Sequence, residues 1–226
     1  MTPEIVPAGD QAFTVRFGAG VDPALSDRVL AAAERLAAAP PAGVLDVVPG
    51  YDALLVAYDP LRVAPAAVEA WLAGALAEAP AAPPGHRVEI PVCYDPALAP
   101  DLEPLAAEKG LSVAELVALH TAPDYRCYLL GFRPGFPFLR GLDPRLVAPR
   151  LASPRPRVPA GAVGIGGGQT GVYPVDSPGG WRLIGKTPLR LFDPARPVPF
   201  LVRAGDTVRF VPIDRAAFDR LLTSVS

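Results

Sequence analysis

Residues 163–192 read VGIGGGQTGVYPVDSPGGWRLIGKTPLRLF, and this stretch decides the fold of the C-terminal part of the chain. Its apolar runs are short and separated by Gly and Pro, and no helical spacing of apolar residues connects them. The pattern extends in both directions, with apolar runs at 128–132, 163–165, 172–175, 181–184, 189–192 and 207–211. Short runs bounded by turns are typical of barrel strands, so we predict a closed or nearly closed β-barrel.

The part of the chain before residue 95 alternates between strand spacing and helix spacing. The predicted elements are a strand at 12–17, a helix from Asp22 to about residue 39, strands at 44–48 and 53–58, a helix at 66–79, a stiff linker at 80–85 and a strand at 88–93. Asp22 and Pro23 support the first helix as N-cap and first-turn proline. The order βαββαβ is typical of a ferredoxin-like unit. We therefore expect an α+β protein with a ferredoxin-like domain at 1–94 and a barrel domain at 95–226.

Short helices are predicted at the beginning and end of the barrel domain. Ser112 and Glu115 form a capping-box pattern for a helix that ends by Ala122, before Pro123. Asp214 is a natural N-cap for a last helix at 214–222.

The amino-acid composition limits the classes to which the protein can belong. Half of the 226 residues are apolar, so a sizeable core can be buried, and the net charge of −2 argues against a general binder of nucleic acid or membrane surfaces. An N-terminus without a signal-peptide pattern and the lack of any run of about 18 apolar residues lead us to expect a cytoplasmic protein. Cys93 and Cys127 stand singly in apolar runs, which is typical of reduced core thiols. We expect no metal site and no tightly bound cofactor on this chain.

Two formal nucleotide motifs occur in the decisive stretch, and their context argues against both. Gly166, Gly168 and Gly171 fit the dinucleotide pattern, but a strand-like run follows where a helix is required. Residues 180–187 satisfy the Walker A expression, yet a Pro-Gly-Gly turn precedes the motif and Pro188 follows it. We expect neither phosphate-binding loop, although Lys186 still offers a point charge to an anion.

A local cationic segment lies at 133–157. It contains six arginines and one acid, Asp143, and its prolines restrict the backbone. Presented in a fixed arrangement, such arginines recognise a carboxylate or phosphate. A solvated loop whose arginines pair with acidic residues explains the segment equally well. His120, at the predicted end of its helix, suits helix capping at least as well as acid-base chemistry.

Several motifs together resemble one family. They are GFRPGFPF at 131–138, PR at 149–150 and 154–155, VPAG at 158–161, GQTGVYP at 168–174, SPGGW at 177–181 and IGKTP at 184–188. In these motifs the chain is similar to the family of 5-oxoprolinase B subunits, also called PxpB, KipI or allophanate hydrolase subunit 1. The resemblance implies a ferredoxin-like domain followed by a cyclophilin-like barrel.

The resemblance also implies an activity: ATP-dependent opening of 5-oxo-L-proline to L-glutamate, with Mg²⁺, in a complex with separate A and C subunits. The A subunit is expected to be of the LamB/YcsF type, and the C subunit of the allophanate hydrolase subunit 2 type. On this basis we expect His120, Arg155 and Lys186 to be catalytic. The predicted anion- and substrate-binding residues are Arg133, Arg157, Gln169, Thr170, Ser177 and Thr187. No metal ligand is expected.

Two other functions remain open at this point. KipI-like relatives inhibit a sensor histidine kinase by binding it, and a third possibility is a component of an allophanate hydrolase or urea carboxylase. The barrel motifs serve the whole family, so the sequence does not separate these functions.

Overall fold

The computed structural model describes residues 3–20, 22–77 and 85–225. The chain divides into two compact units, Met1–Pro84 and Gly85–Ser226. Each has its own apolar core, because the buried residues fall into separate clusters.

The first unit is a four-stranded sheet with two helices. Its elements are β1 (Glu4–Pro7), β2 (Ala12–Arg16), α1 (Pro23–Ala38), β3 (Val44–Pro49), β4 (Ala53–Tyr58) and α2 (Pro65–Leu76). The sheet order is β1-β2-β4-β3, and the pairings are antiparallel. The predicted N-cap is confirmed, because an Asp22 carboxylate oxygen accepts a hydrogen bond from the Leu25 amide at 3.1 Å.

The second unit contains a closed barrel of seven strands, which confirms the predicted barrel. Its elements are β5 (Arg87–Cys93), α3 (Leu102–Glu108), α4 (Val113–Thr121), β6 (Tyr125–Leu130), β7 (Pro137–Arg140), β8 (Arg155–Val158), β9 (Ala162–Gly166), β10 (Gln169–Val172), β11 (Ser177–Gly179), β12 (Arg182–Lys186), β13 (Thr207–Ile213) and α5 (Arg215–Val225). The barrel order is β10-β7-β6-β13-β5-β12-β9, and β8 and β11 form a separate two-stranded ribbon. The capping box of Ser112 and Glu115 opens α4 as predicted.

The strand predicted at 88–93 belongs to the barrel unit and not to the first unit. β5 pairs in parallel with β13 along its whole length and meets β12 at Cys93 and Lys186, so it is a barrel strand. The physical reason is its apolar face, since Ile90 and Val92 are fully buried in the barrel core. The unit boundary accordingly falls at residues 84 and 85, not at 94 and 95. The linker predicted at 80–85 lies, apart from Gly85, outside the described residues.

The first unit also differs from the predicted βαββαβ order. An unpredicted strand, β1, precedes the set and takes the edge position next to β2. In the barrel unit, the apolar run at 189–192 forms no strand, and Phe192 makes only an isolated bridge with Phe200. The sequence analysis did not predict β7 and β8, because both segments contain proline. Proline lacks the backbone N–H that pairs neighbouring strands, so its presence argues against a strand. No described helix is both long and apolar enough to cross a membrane.

Candidate functional site

An aromatic-lined cleft lies on the barrel unit, and we call it the aromatic cleft. Its volume is about 290 Å³. The lining residues are Phe132, Phe136, Phe138, Arg150, Pro154, Tyr173, Pro178, Gly179, Gly180 and Trp181. A cleft of this size is at the small end of ligand sites, so it suits a molecule built on a single small ring.

The floor of the aromatic cleft is a set of rings packed edge to face. The centre of the Phe136 ring lies 5.1 Å from that of Tyr173 and 5.3 Å from that of Trp181, with interplanar angles of 83° and 89°. All three residues are buried. Edge-to-face packing is a preferred arrangement of aromatic pairs, so the floor is held in a defined shape.

Two glycines leave room for these rings. A Cβ at Gly166 would lie 2.6 Å from the Trp181 indole, and a Cβ at Gly179 would lie 2.4 Å from the Tyr173 hydroxyl oxygen. The glycine-rich run at 164–171 therefore serves two purposes: it turns the β9–β10 hairpin and makes space for Trp181. This run leads into strand β10, where a Rossmann site would have a helix. The glycine pattern is therefore not a dinucleotide-binding site, as predicted.

Arg150 is the charged side chain that lines the aromatic cleft. Its guanidinium carbon lies 5.9 Å from the centre of the Trp181 ring, and the residue is exposed. Within the described part of the chain, no carboxylate pairs with it. Burial raises the pKa of Tyr173, opposed by a hydrogen bond with the Trp181 backbone and by the charges of Arg150 and Arg155. The cleft thus combines an apolar aromatic floor with a cation that no described acid neutralises.

The six arginines of the cationic segment divide into two groups. Three form ion pairs: Arg145 with Asp143 at 2.7 Å, Arg155 with Asp101 at 2.7 Å, and Arg157 with Asp176 at 2.5 Å. The others stack on rings, with Arg133 over Phe132, Arg140 over Tyr128 and Arg150 over Trp181. The interpretation as a solvated segment of acid-paired arginines is therefore correct for three of its six arginines.

Arg155 and Arg157 differ in what their ion pairs do. Asp101 is buried, accepts from Arg155, and also accepts from the Leu183 amide at 2.6 Å, so this pair fastens β8 to β12 and to the start of α3. The side chain of Arg157 is 80% exposed, and its partner Asp176 also accepts from the Ala160 amide. Both guanidinium charges are compensated, which weakens the expectation that they act on substrate.

A second cleft, of about 520 Å³, contains Lys186, and we call it the lysine cleft. Its polar lining is formed by Asp176, Lys186, Thr187, Arg190 and Asp193. Asp176 is paired with Arg157, and Asp193 lies 3.5 Å from Arg190 and 3.4 Å from Arg196. Among the described residues, no hydrogen bond or ion pair engages the Lys186 ammonium group. Within that part of the chain, Lys186 is therefore a cation of this cleft without a direct ion pair, although its charge contributes to lowering the pKa of Asp176.

The last two residues of the Walker-like string 180–187, Lys186 and Thr187, line the lysine cleft. Lys186 lies in strand β12, and no helix follows it directly among the described residues, so the string is not a phosphate-binding loop. Thr187 is buried, and its hydroxyl oxygen accepts from the Leu189 amide at 3.2 Å. Its role in the structure is to shape the turn after β12.

His120 lies inside the barrel and not in either cleft. Its Nδ1 is 2.8 Å from the Tyr94 hydroxyl and its Nε2 is 2.9 Å from the Thr170 hydroxyl. The Thr170 hydroxyl donates to the Gly164 carbonyl at 3.0 Å, so its oxygen accepts from the Nε2–H and Nδ1 accepts from Tyr94. Burial lowers the pKa of His120 to about 3.

This environment does not support the catalytic role predicted for His120, which stays a prediction. The imidazole is neutral, fully buried and satisfied at both nitrogens, and its ring stacks on Phe210 at 4.7 Å. Thr170, also buried, belongs to the same hydrogen-bonded chain and not to a substrate site. Tyr125 completes the arrangement by donating to the His120 carbonyl at 2.7 Å.

Ser177 and Gln169 occupy neither described cleft. Ser177 is buried in β11, and its hydroxyl has no hydrogen-bond partner among the described residues. Gln169 is half-buried at the start of β10, opposite Gly166. The structure thus separates the predicted site residues. Lys186 and Thr187 share one cleft, and Arg133 stacks on Phe132 at the rim of the other. The remaining residues are interior (His120, Thr170 and Ser177), ion-paired (Arg155 and Arg157) or half-buried (Gln169).

Three residues that line the aromatic cleft were not assigned to a site by the sequence analysis: Arg150, Tyr173 and Trp181. The latter two stand inside the motifs GQTGVYP and SPGGW, where a bulky ring among glycines is the available signal. The cysteines behave as predicted, because both are free and buried. In the described ranges, no group of three or more His, Cys, Asp or Glu side chains is placed to hold a metal ion.

Comparison with known proteins matches residues 3–202 to the family described as carboxyltransferase domain, subdomain C and D. The chain is similar to the B subunit of 5-oxoprolinase from Bacillus subtilis (strain 168), with 45% identity over 222 residues that cover 93% of this chain and 92% of the relative. It is also similar to the B subunit of 5-oxoprolinase from Escherichia coli O157:H7, with 46% identity over 206 residues that cover 90% and 93%.

Among solved structures, the crystal structure of TTHA0988 matches with a TM-score of 0.82 and 47% identity, covering 90% of this chain. The chain spans 40% of the length of that protein. The fold, the extent of the family match and these identities agree: the chain belongs to the carboxyltransferase subdomain C and D family, among the B subunits of 5-oxoprolinase.

Proposed function

We propose that this chain is the B subunit of an ATP-dependent 5-oxoprolinase, a cytoplasmic complex that opens 5-oxo-L-proline to L-glutamate with separate A and C subunits. The observation that carries the proposal is the similarity to the B subunit of 5-oxoprolinase from Bacillus subtilis along nearly the whole of both chains. The specific partner types, LamB/YcsF for the A subunit and allophanate hydrolase subunit 2 for the C subunit, belong to the same proposal.

The reaction requires a site that tolerates negative charge. A resonance-stabilised lactam resists water unless its oxygen is first converted into something like a phosphate ester, so the substrate and its activated form carry anionic groups. Lys186 supports this role because its ammonium group is unpaired among the described residues, in a cleft whose acids are already engaged. Of the predicted cations, Lys186 is thus the one we assign to holding an anionic group of the reaction, such as a phosphate, in a cleft separate from the aromatic cleft.

The remaining predicted residues act at a distance from the reacting atoms. Arg155 and Arg157 position the ribbon of β8 and β11 through their ion pairs. Thr187 and Ser177 shape the segments on either side of β12. Arg133 is exposed and stacked on Phe132, where it adds positive charge near the aromatic cleft.

We further propose that the chain is inactive alone. Both cysteines are buried, and the interior position of His120 removes the natural general base. Neither cleft presents a nucleophile beside a base, so the partner proteins must supply that chemistry. ATP and Mg²⁺ are assigned to the complex. The described residues of this chain form no cluster of three or more His, Cys, Asp or Glu side chains that would hold the metal.

We also propose a fold type for each of the two units. The seven-stranded closed barrel supports a cyclophilin-like second unit. The sheet order β1-β2-β4-β3 with two helices supports a ferredoxin-like first unit in which the N-terminal strand β1 takes the edge place of the strand that follows α2.

The test is release of glutamate from 5-oxo-L-proline with Mg-ATP, using this chain purified with its cognate A and C subunits and omitting each protein in turn. We expect activity that disappears without this chain. We also expect Lys186→Ala to lower kcat at least tenfold, while Arg145→Ala, whose charge is neutralised by Asp143 outside both clefts, leaves it unchanged.

Activity in a mixture that lacks this chain, or none in the complete mixture, would contradict the proposal. Either result would favour a binding role such as inhibition of a sensor kinase, or another amide substrate. Full activity of Lys186→Ala would remove only the role of that residue.

A further inference from the structure

We propose that the aromatic cleft is a binding site for the carboxylate end of a small cyclic acid, with Arg150 as its anion-binding and specificity-determining residue. The acid class rests on the proposed function, whereas the site itself is argued from the geometry of the cleft.

The first argument is the charge of the cleft. Arg150 is the one charged side chain among its described lining residues, and no described carboxylate neutralises it. Arg145, Arg155 and Arg157 of the same cationic segment all have acidic partners. An exposed arginine held over an indole face keeps its N–H donors free at the edge of the guanidinium plane, where they can meet a carboxylate in two parallel hydrogen bonds.

The second argument is the shape of the cleft. Phe136, Tyr173 and Trp181 are buried and locked edge to face, so the floor is apolar and already formed before a ligand arrives. A small planar ring packs on such a floor while its carboxylate stays at the exposed edge beside Arg150. The low volume, about 290 Å³, favours a single-ring molecule.

The backbone is strained at Phe132, on the rim of the aromatic cleft. Phe132 has a φ of +65°, which a bulky side chain rarely adopts, and the residue is 59% exposed. Strained residues of this kind cluster at ligand clamps. The strained backbone presents the Phe132 ring at the mouth of the cleft, 5.7 Å from Phe136 and 6.4 Å from Tyr173.

The test measures binding directly, without the partner proteins. The full chain carrying Trp71→Phe retains Trp181 as its single tryptophan, so fluorescence reports on the cleft. The probes are 5-oxo-L-proline and 2-pyrrolidinone, which has the same lactam ring without the carboxylate. Arg150→Ala is compared with Arg140→Ala, a matched control whose guanidinium stacks on Tyr128 outside the cleft.

We expect saturable quenching by 5-oxo-L-proline, a Kd at least tenfold higher in Arg150→Ala, an intermediate Kd in Arg150→Lys, and a change of less than twofold in Arg140→Ala. 2-Pyrrolidinone should bind more weakly to the parent, and equally to the parent and Arg150→Ala. A Kd within twofold of the parent for Arg150→Ala, equal affinity for both probes, or no saturable quenching would overturn the proposal. Because Arg150 is exposed, all Arg150 variants should unfold at the same temperature as the parent.

Glutamate release by the complete complex separates this inference from the proposed function. A complex that requires the chain but shows an unchanged KM with Arg150→Ala overturns the inference and leaves the function standing. Arg150-dependent binding of 5-oxo-L-proline in a complex that releases no glutamate overturns the proposed function and leaves the inference standing.

Discussion

Arg155 Nη2 lies 2.7 Å from Asp101 Oδ1, and the other oxygen of the same buried carboxylate accepts the Leu183 amide at 2.6 Å. One acid thus connects the ribbon strand β8, the barrel strand β12 and the N-terminus of α3. This connection gives Arg155, in the motif at 154–155, a structural role. The exposed charge at the aromatic cleft is that of Arg150 and not that of Arg155.

Removal of the Arg155 side chain is expected to destabilise the barrel unit. Arg155→Ala leaves Asp101 buried and short of one partner, and since the arginine is itself 28% exposed, we expect a loss of roughly 2–3 kcal/mol. Arg157→Ala is the matched control, because an ion pair with an arginine that is 80% exposed contributes at most about 1 kcal/mol. Urea unfolding measures both, and equal losses would contradict the assignment of different roles.

Acidification is expected to destabilise the barrel through His120. Burial lowers the pKa of His120 to about 3, whereas a histidine in an unfolded chain titrates near 6.5. Between these values the unfolded state binds more protons, so this contribution to stability is complete above about pH 6.5 and is lost as the pH falls, by about 1.4 kcal/mol per pH unit. The free energy of unfolding, measured at intervals from about pH 7 to about pH 4, gives the slope.

The control for this effect is His120→Gln. That variant is less stable at neutral pH, because the chain of hydrogen bonds from Tyr94 to Gly164 is interrupted, but it lacks the titrating group. We expect its stability to fall less steeply with decreasing pH than that of the parent, and an unchanged slope would show that another group causes the acid sensitivity.

Two adjacent glycines should respond differently to alanine. A Cβ at Gly179 would lie 2.4 Å from the Tyr173 hydroxyl oxygen, and that ring is packed and buried, whereas a Cβ at Gly180 meets nothing closer than 3.8 Å. We expect Gly179→Ala to cost about 1–3 kcal/mol through overpacking and Gly180→Ala to cost less than about 1 kcal/mol. Thermal unfolding of the two variants decides this, and similar losses would mean that Tyr173 moves freely.

Neither thiol should react in the folded protein. Cys93 and Cys127 are free but buried, and burial raises the pKa of Cys127, so little thiolate is exposed to a reagent. Thiol titration should give no rapid reaction in buffer and two equivalents in urea, as the chain has two cysteines. A rapid native reaction would indicate that the barrel opens locally at one of these strands.

Local signals accounted for much of the fold. Asp22 at the N-cap of α1 and the capping box of Ser112 and Glu115 were readable because a cap needs only residues within one helical turn. The strands β9, β12 and β13 could be predicted because each is a short apolar run with Gly or Pro nearby in the sequence. The assignment of β5 failed because an alternating apolar run does not state which sheet will bury its inner face.

The sequence by itself determined the helices, several of the strands, the barrel class and the family motifs, since periodicity, caps and turn residues act over a few neighbouring positions. Only the tertiary structure decided which strands close the barrel, which arginines are neutralised and where His120 lies. Asp101, Asp143 and Asp176 leave Arg150 as the cation of the aromatic cleft, and two of these three acids reach their arginines through folding rather than chain proximity. Strand pairing and charge compensation depend on contacts between distant parts of the chain, and no local pattern specifies them.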